Sequence, residues 1–175
     1  MADFGPAMRK TLRIEQGYNT NPRDPGGETL FGIARRHQPN WAGWLMVDSL
    51  KNHLQGPELA KALNTHEGLL ASAQQYYQRN FWHFDQVKDQ GVANKLFDMS
   101  VNMGQDTAAK ILQRSAGVDV DGVLGPKTMA AVNGMDPEKL MNELRIQSAL
   151  HYRDLVAKNS KLQEFLPDWL ARARK

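Results

Sequence analysis

Residues 7–16, AMRKTLRIEQ, carry apolar and charged positions at a helical period. At roughly 100° per residue with Met8 at zero, Leu12 falls near about 40° and Glu15 near about −20°, while Arg9, Lys10, Arg13 and Gln16 share the opposite arc. The pattern predicts a helix over 7–16, ended by Gly17, with Glu15 in its apolar stripe. Around DPGG, residues 24–27, the chain must turn, because Pro presets φ at the second turn position and Gly tolerates a positive φ at the third. ETLFGI then places Thr29, Phe31 and Ile33 on one side and Leu30 and Gly32 on the other, a short strand with one buried face. A small hairpin near the start of the chain is the predicted result.

Beyond residue 34 nearly everything reads as helical. Asn64 and Glu67 have the spacing of a capping box and predict a helix running to Phe81. A second spans 92–103, with Val92, Leu96, Met99 and Met103 along one face. A third covers 107–116 and stops at Gly117. Pro126, after the turn-rich loop DVDGVLGPKT, fits the first position of another. Asp136 caps a long helix from Pro137 towards 159, and Ser160 with Gln163 predicts a final short one broken near Pro167. No internal repeat or low-complexity segment interrupts this order.

Composition changes the picture only at the margins. With 175 residues, 41% hydrophobic and 23% charged, the chain reads as one globular domain, 1–175, with a first lobe over 1–90 and a helical lobe over 91–175. Cysteine is absent, which excludes disulfides and thiolate chemistry. A net charge of +3 suits an anionic polymer but lacks the dense clustering of a nucleic-acid binder, and RARK at 172–175 reads as a frayed basic tail. No apolar run matches the roughly 18–20 residues of a membrane span, and MADFGPAMRKTLRIEQGY lacks the apolar stretch of a secretory signal. The expectation is synthesis in the cytoplasm, no stable membrane insertion, a monomer, and a wall target reached by a holin-like or secretion route.

The candidate chemistry lies in the first 30 residues. A carboxyl at Glu15, set in an apolar stripe, is desolvated, which disfavours its charged form and raises its pKa as a general acid at neutral pH requires. A helix-end glutamate that swings into water has the same sequence. Asp24 directly before Pro-Gly initiates turns, yet a hairpin leaving the helix can also hold it across a cleft from Glu15. Two carboxylates in unlike surroundings are what glycoside hydrolysis uses, one giving a proton and one activating water or stabilising the sugar cation. Thr29 can orient that water, or can simply suit a strand. The histidines at 37, 53, 66, 83 and 151 make no HxxxH or HExxH pair, so neither a metal nor any other cofactor is expected. Nucleophilic-serine and phosphate-binding motifs are also missing. Tryptophans 41, 44, 82 and 169 suit packing or sugar stacking.

Glu15-x8-Asp24-x4-Thr29, on a helix end followed by a hairpin, resembles the Glu, Asp and Thr triad of phage-type lysozymes. EQGYN at 15–19, DPGGETLFGI at 24–33, LFDMSVNMG at 96–104, DGVLGPKT at 121–128 and FLPDWLAR at 165–172 together are similar to the glycoside hydrolase family 108 muramidases, many of them phage endolysins. The resemblance implies a lysozyme-like α+β fold, mainly α, with a hairpin lobe, a helical lobe and a cleft between them. It implies hydrolysis of the β-1,4 bond between N-acetylmuramic acid and N-acetylglucosamine in peptidoglycan glycan strands, and hence lysis of bacterial cell walls. Glu15 takes the acid role and Asp24 the second carboxylate, although its spacing to Thr29 is one residue shorter than in phage-type lysozymes. Gln16 stands where the family usually has glycine, a change that firms a helix. If water attacks opposite the leaving group, the carboxyls should lie roughly 6.5–9.5 Å apart and the product should be inverted.

Two more residues follow from the same likeness. Asn102 matches a cleft-facing amide suited to an N-acetyl group, with a helix C-terminal cap as its alternative. Tyr18 lines the cleft or packs in the core. DGVLGPKT resembles an element of peptidoglycan-binding modules and reads as a structural turn or a separate sugar site. It is not a calcium loop, since counting from Asp119 puts Leu124 where glycine is needed and Ala130 where glutamate belongs. The rival functions are a lytic transglycosylase, which needs only one acid, and a non-catalytic wall-binding or secretion-accessory protein.

Overall fold

The computed structural model describes residues 1–12, 17–20 and 27–175. In chain order they form α1 (Phe4–Leu12), β1 (Thr29–Leu30), β2 (Ile33–Ala34), α2 (Gly43–Lys51), α3 (Gly56–Thr65), α4 (Glu67–Phe81), α5 (Gln90–Met103), α6 (Gln105–Ala116), α7 (Pro126–Gly134), α8 (Pro137–Lys158), a 3-10 turn (Ser160–Phe165) and α9 (Leu166–Arg174). This is the expected α+β architecture, mainly helical with a small hairpin near the start. It divides into two compact units, Met8–Trp82 and Met1–Ala7 with His83–Lys175, and α1 runs from one into the other. Among the described residues no helix is long and apolar enough to cross a membrane.

α1 starts three residues before the predicted position. The Asp3 carboxylate accepts the Gly5 N–H at 3.0 Å, and Pro6 sits in the first turn, where its missing donor costs nothing. The expected phase holds, with Ala7, Met8 and Thr11 buried and Arg9 and Lys10 exposed. The predicted end of that helix, at residues 13–16, lies outside the described residues.

In the Met8–Trp82 unit, ETLFGI is not one strand but a hairpin of its own. Thr29 pairs with Ala34 and Leu30 with Ile33, so Phe31 and Gly32 make a two-residue turn with φ of 51° and 79°, positive at both positions as tight hairpins require. Alternation therefore fails, and Leu30, Phe31 and Ile33 are all buried. A phenylalanine in this backbone region is strained. The Tyr77 hydroxyl holds it there by donating to the Phe31 carbonyl at 2.8 Å. The wider hairpin predicted around DPGG is closed by Asn19 and Thr29, which exchange main-chain hydrogen bonds of 2.9 and 2.8 Å.

α4 ends at Phe81 as predicted, but Asn64 does not cap it. Asn64 belongs to α3, and the first extended residue is His66, whose ring nitrogen accepts the Leu69 N–H at 3.4 Å. Trp41 and Trp44 are buried edge to face, 4.9 Å between ring centroids, which makes them packing residues.

In the other unit, the Asp89 carboxylate caps α5 by accepting the Val92 N–H at 2.8 Å. Val92, Leu96 and Met99 are buried on it, whereas Met103 is only half-buried. α6 stops at Gly117 in the left-handed conformation, α7 opens at Pro126, and Asp136 caps α8 through the Lys139 N–H at 2.9 Å. Two C-terminal expectations are corrected. The short element expected from Ser160 does end at Phe165, close to Pro167, but it is not the last, since α9 starts at Leu166 with Pro167 in its first turn, where its fixed φ is tolerated. RARK is not frayed: Arg172 pairs with buried Asp98 through contacts of 2.9 and 3.2 Å, and the buried Lys95 ammonium donates to the Arg172 and Ala173 carbonyls at 3.0 and 2.9 Å. A cation at a helix C-terminus meets the unpaired carbonyls and the negative end of its dipole.

The DGVLGPKT loop is a built turn. Gln113 on α6, 1% exposed, donates to Asp121 at 2.6 Å and to the Val123 carbonyl at 3.0 Å, and accepts the Gly122 N–H at 2.8 Å. One buried amide thus satisfies a whole loop. Gln113→Ala should lower the unfolding free energy by about 2–4 kcal/mol, read from urea unfolding. A loss below about 0.5 kcal/mol contradicts this role.

Candidate functional site

Glu15 and Asp24 lie outside the described residues, but the chain on either side of each is described. Tyr18 and Asn19 follow Glu15 closely, and the Asn19–Thr29 pair closes the loop that contains Asp24. Thr29 opens β1 and is half-buried. Both of its main-chain polar groups are engaged by Asn19, which fixes the strand that carries its hydroxyl.

A side-chain clasp doubles the main-chain one. The Tyr18 hydroxyl donates to Glu28 Oε1 at 2.7 Å, so the residue before Asn19 is tied to the residue before Thr29. Glu28 also pairs with Lys51 at 2.8 Å and with Arg35 Nε at 2.6 Å. Arg35 reaches on to Asp48 through two contacts of 3.0 and 2.6 Å and lies 4.4 Å from the Trp44 ring centre, a stacking that its planar cation favours. Burial alone would push the Glu28 carboxyl up, but hydrogen bonds from Lys51 and Tyr18 and the charges of Arg35 and Lys51 together hold it below its ordinary value. Burial, and then the bond to Glu28, push the Tyr18 phenol well above its ordinary range. Tyr18 is therefore a neutral donor at any working pH.

A third tie comes from α3. Asn64 Oδ1 accepts the Tyr18 N–H at 2.8 Å, and a Cβ on Gly17 would stand only 2.3 Å from the same oxygen. Gly17 is needed for that close approach, a reason separate from helix stopping. Sequence reasoning missed Glu28, Arg35, Asp48, Lys51 and Asn64. Glu28 stands inside the DPGGET block and was open to notice; the others are brought in from α2, α3 and the segment after β2, which no local pattern announces.

Tyr18 and Thr29 are thus brought together. Asn102, on the last turn of α5, belongs to the other unit. Its Oδ1 accepts the Tyr152 hydroxyl at 2.5 Å, and the cap of α5 is Gly104, with φ 87°, so the capping alternative does not describe it. Tyr152 stacks on Trp169, with 5.2 Å between centroids, and burial raises its pKa to about 12. Among the described residues no group of three or more His, Asp and Glu is arranged to hold a metal ion.

The Glu28 cluster generates a pH test. Its folded pKa lies below the ordinary 4.5, so its stabilisation is complete above that pH and is lost as pH falls through the folded value. Glu28→Gln should destabilise by about 1 kcal/mol at pH 7, and the difference from wild type should shrink as the pH drops below 4.5. Urea unfolding across that range reads it; a difference independent of pH contradicts the ion-pair account.

A family model described as Glycosyl hydrolase 108 matches residues 8–104, which include the Tyr18–Glu28 clasp and Asn102. A second, described as Predicted Peptidoglycan domain, matches residues 107–174. A search of curated proteins found no match. Among solved structures, the Structure of Brucella abortus SagA is similar over 98% of this chain and 96% of that one, at 28% identity and a TM-score of 0.60. A clasped ribbon after α1, a helical remainder and a match across more than half the length agree: the chain belongs to glycosyl hydrolase family 108, with a peptidoglycan domain following the hydrolase region.

Proposed function

We propose that the protein is an N-acetylmuramidase that cleaves the β-1,4 bond between N-acetylmuramic acid and N-acetylglucosamine and so lyses bacterial walls. The observation that carries this reading is the clasp. The family match spans Glu15, Tyr18, Asp24, Thr29 and Asn102, and the described residues bordering the first four are tied by Asn19–Thr29, Tyr18–Glu28 and Tyr18–Asn64. Such ties suit a site whose reacting groups must hold position.

In this proposal Glu15 is the general acid. In the sequence, helical spacing from Met8 puts Glu15 in an apolar stripe, and a carboxyl desolvated there would favour its protonated form. Its proton goes to the glycosidic oxygen as the bond from C1 breaks, leaving the departing sugar neutral. Asp24, ionised, takes the proton of the attacking water or offsets the positive charge at C1. Thr29 orients that water from the rigid β1. Tyr18, its hydroxyl held by Glu28, offers a ring face to a sugar, and Asn102, its carbonyl side held by Tyr152, offers its amide hydrogens to an N-acetyl group. A monomer working without cofactor, released to the wall through a holin-like or secretion route, fits this chemistry.

Glu15→Gln should lower the clearing of purified peptidoglycan by about 100- to 10,000-fold while circular dichroism stays at the wild-type signal. Clearing within about three-fold of wild type would remove Glu15 from the acid role.

A further inference from the structure

The hydrolase match ends at residue 104 and the peptidoglycan match starts at 107, but the packing does not divide there. α5 lies within the hydrolase match and in the same compact unit as α6, α7, α8 and α9. One face of α5 carries Lys95, Asp98, Met99 and Asn102, three or four residues apart as neighbours on a helix surface are. Each is held from the domain that follows. The Lys95 ammonium donates to the Arg172 and Ala173 carbonyls, and the Arg172 guanidinium donates to Asp98. The Ser148 hydroxyl meets the Met99 sulfur at 3.6 Å, and the Tyr152 hydroxyl donates to Asn102 Oδ1 at 2.5 Å. Lys95 and Asp98 are 2% and 7% exposed, so their ties satisfy charges that burial would otherwise penalise. Asn102 differs. It is half-buried, and water would serve its amide as well as a protein group does. What the Tyr152 bond adds there is direction.

An asparagine amide has an accepting end and a donating end, and its last torsion is broad and roughly two-fold. Left to itself it presents either end to a substrate. With Oδ1 taken by Tyr152, the two N–H donors are directed elsewhere, and they make no bond among the described residues. A donor is what the carbonyl of an acetamido group requires. Tyr152 itself is 3% exposed and stays behind Asn102. Its ring stacks on Trp169 with 5.2 Å between centroids, and Trp169 stacks on Phe165 at 5.8 Å, so a row of three rings fixes where the hydroxyl sits. Burial raises the phenol to about 12, which keeps it a donor throughout the neutral range.

We propose that Tyr152 is a positioning residue of the hydrolase: by holding Asn102 Oδ1 it makes cleavage selective for N-acetylated glycan, and the second matched region thereby completes the working site of the first. The assignment rests on the reading of Asn102 as the contact for an N-acetyl group in a muramidase. The test measures kcat/KM of the full-length chain on purified peptidoglycan and on the same peptidoglycan after enzymatic removal of its N-acetyl groups. Wild type, Tyr152→Phe, Asn102→Ala and the double variant are compared, with circular dichroism confirming that each is folded. Tyr152→Phe keeps the row of rings and removes only the hydroxyl. It should lose about five-fold on acetylated strands, the effect of one neutral hydrogen bond, and less than about two-fold on deacetylated ones. The double variant should match Asn102→Ala within about two-fold, because the losses of two residues acting through one contact do not add. Equal losses on both substrates, or a loss that adds in full to that of Asn102→Ala, mark a merely structural tyrosine and overturn the assignment. Activity of Tyr152→Phe equal to wild type on both substrates overturns it too. In these cases, release of reducing N-acetylmuramic acid by the wild type leaves the muramidase reading standing. Peptidoglycan left uncut by the wild type overturns both.

Discussion

Two main-chain hydrogen bonds between Asn19 and Thr29 set the condition on which the functional account depends. They close the segment carrying Asp24 and bring the residues that follow Glu15 alongside the strand that starts at Thr29. Main-chain bonds tolerate any side chain, so they fix geometry while leaving neighbouring residues free to carry chemistry. Tyr18–Glu28 and Tyr18–Asn64 add side-chain ties at the same point. A two-stranded ribbon this short is not stable alone in water; Leu30, Phe31 and Ile33 bury it, and Tyr77 pins its turn.

The charged cluster behind the ribbon works by mutual compensation. Glu28 is shielded to 15% exposure, with Arg35 and Lys51 as its cations, and Asp48 balances Arg35 in turn. Removing one member of such a set leaves its partners poorly satisfied, so each matters more than an isolated surface pair. The helical unit uses the same device at Lys95, Asp98 and Arg172, where buried charges hold α9 against α5. Its C-terminus is structure because those charges have partners, although in sequence it reads as a loose basic end.

Local signals were the legible ones. Gly117 as a left-handed stop, Asp136 as a cap and Pro126 as a first-turn residue each act within four residues of themselves, and each stands where the sequence places it. The errors share a cause. Asn64 has the spacing of a cap but spends its side chain on Tyr18 across 46 residues. Pro167 looks like the end of the last helix until α9 begins beside it. ETLFGI has strand alternation, yet Phe31 accepts a positive φ because Tyr77, far away in sequence, holds its carbonyl. Each depends on a partner that periodicity cannot see. Of the site, Thr29 and Tyr18 were legible as candidates, Glu15 and Asp24 rest on motif spacing, and the cations around Glu28 were hidden because they arrive from separate elements.

The most direct measurement of the central claim is the identity of the sugar ends released from purified peptidoglycan, reduced with borohydride and read by mass spectrometry. Hydrolysis at the proposed linkage, with water as the nucleophile, predicts a reducing N-acetylmuramic acid at every new end, hence N-acetylmuramitol after reduction. Anhydromuramic ends, which require no water, or reduced N-acetylglucosamine ends, which report the other linkage, would contradict it.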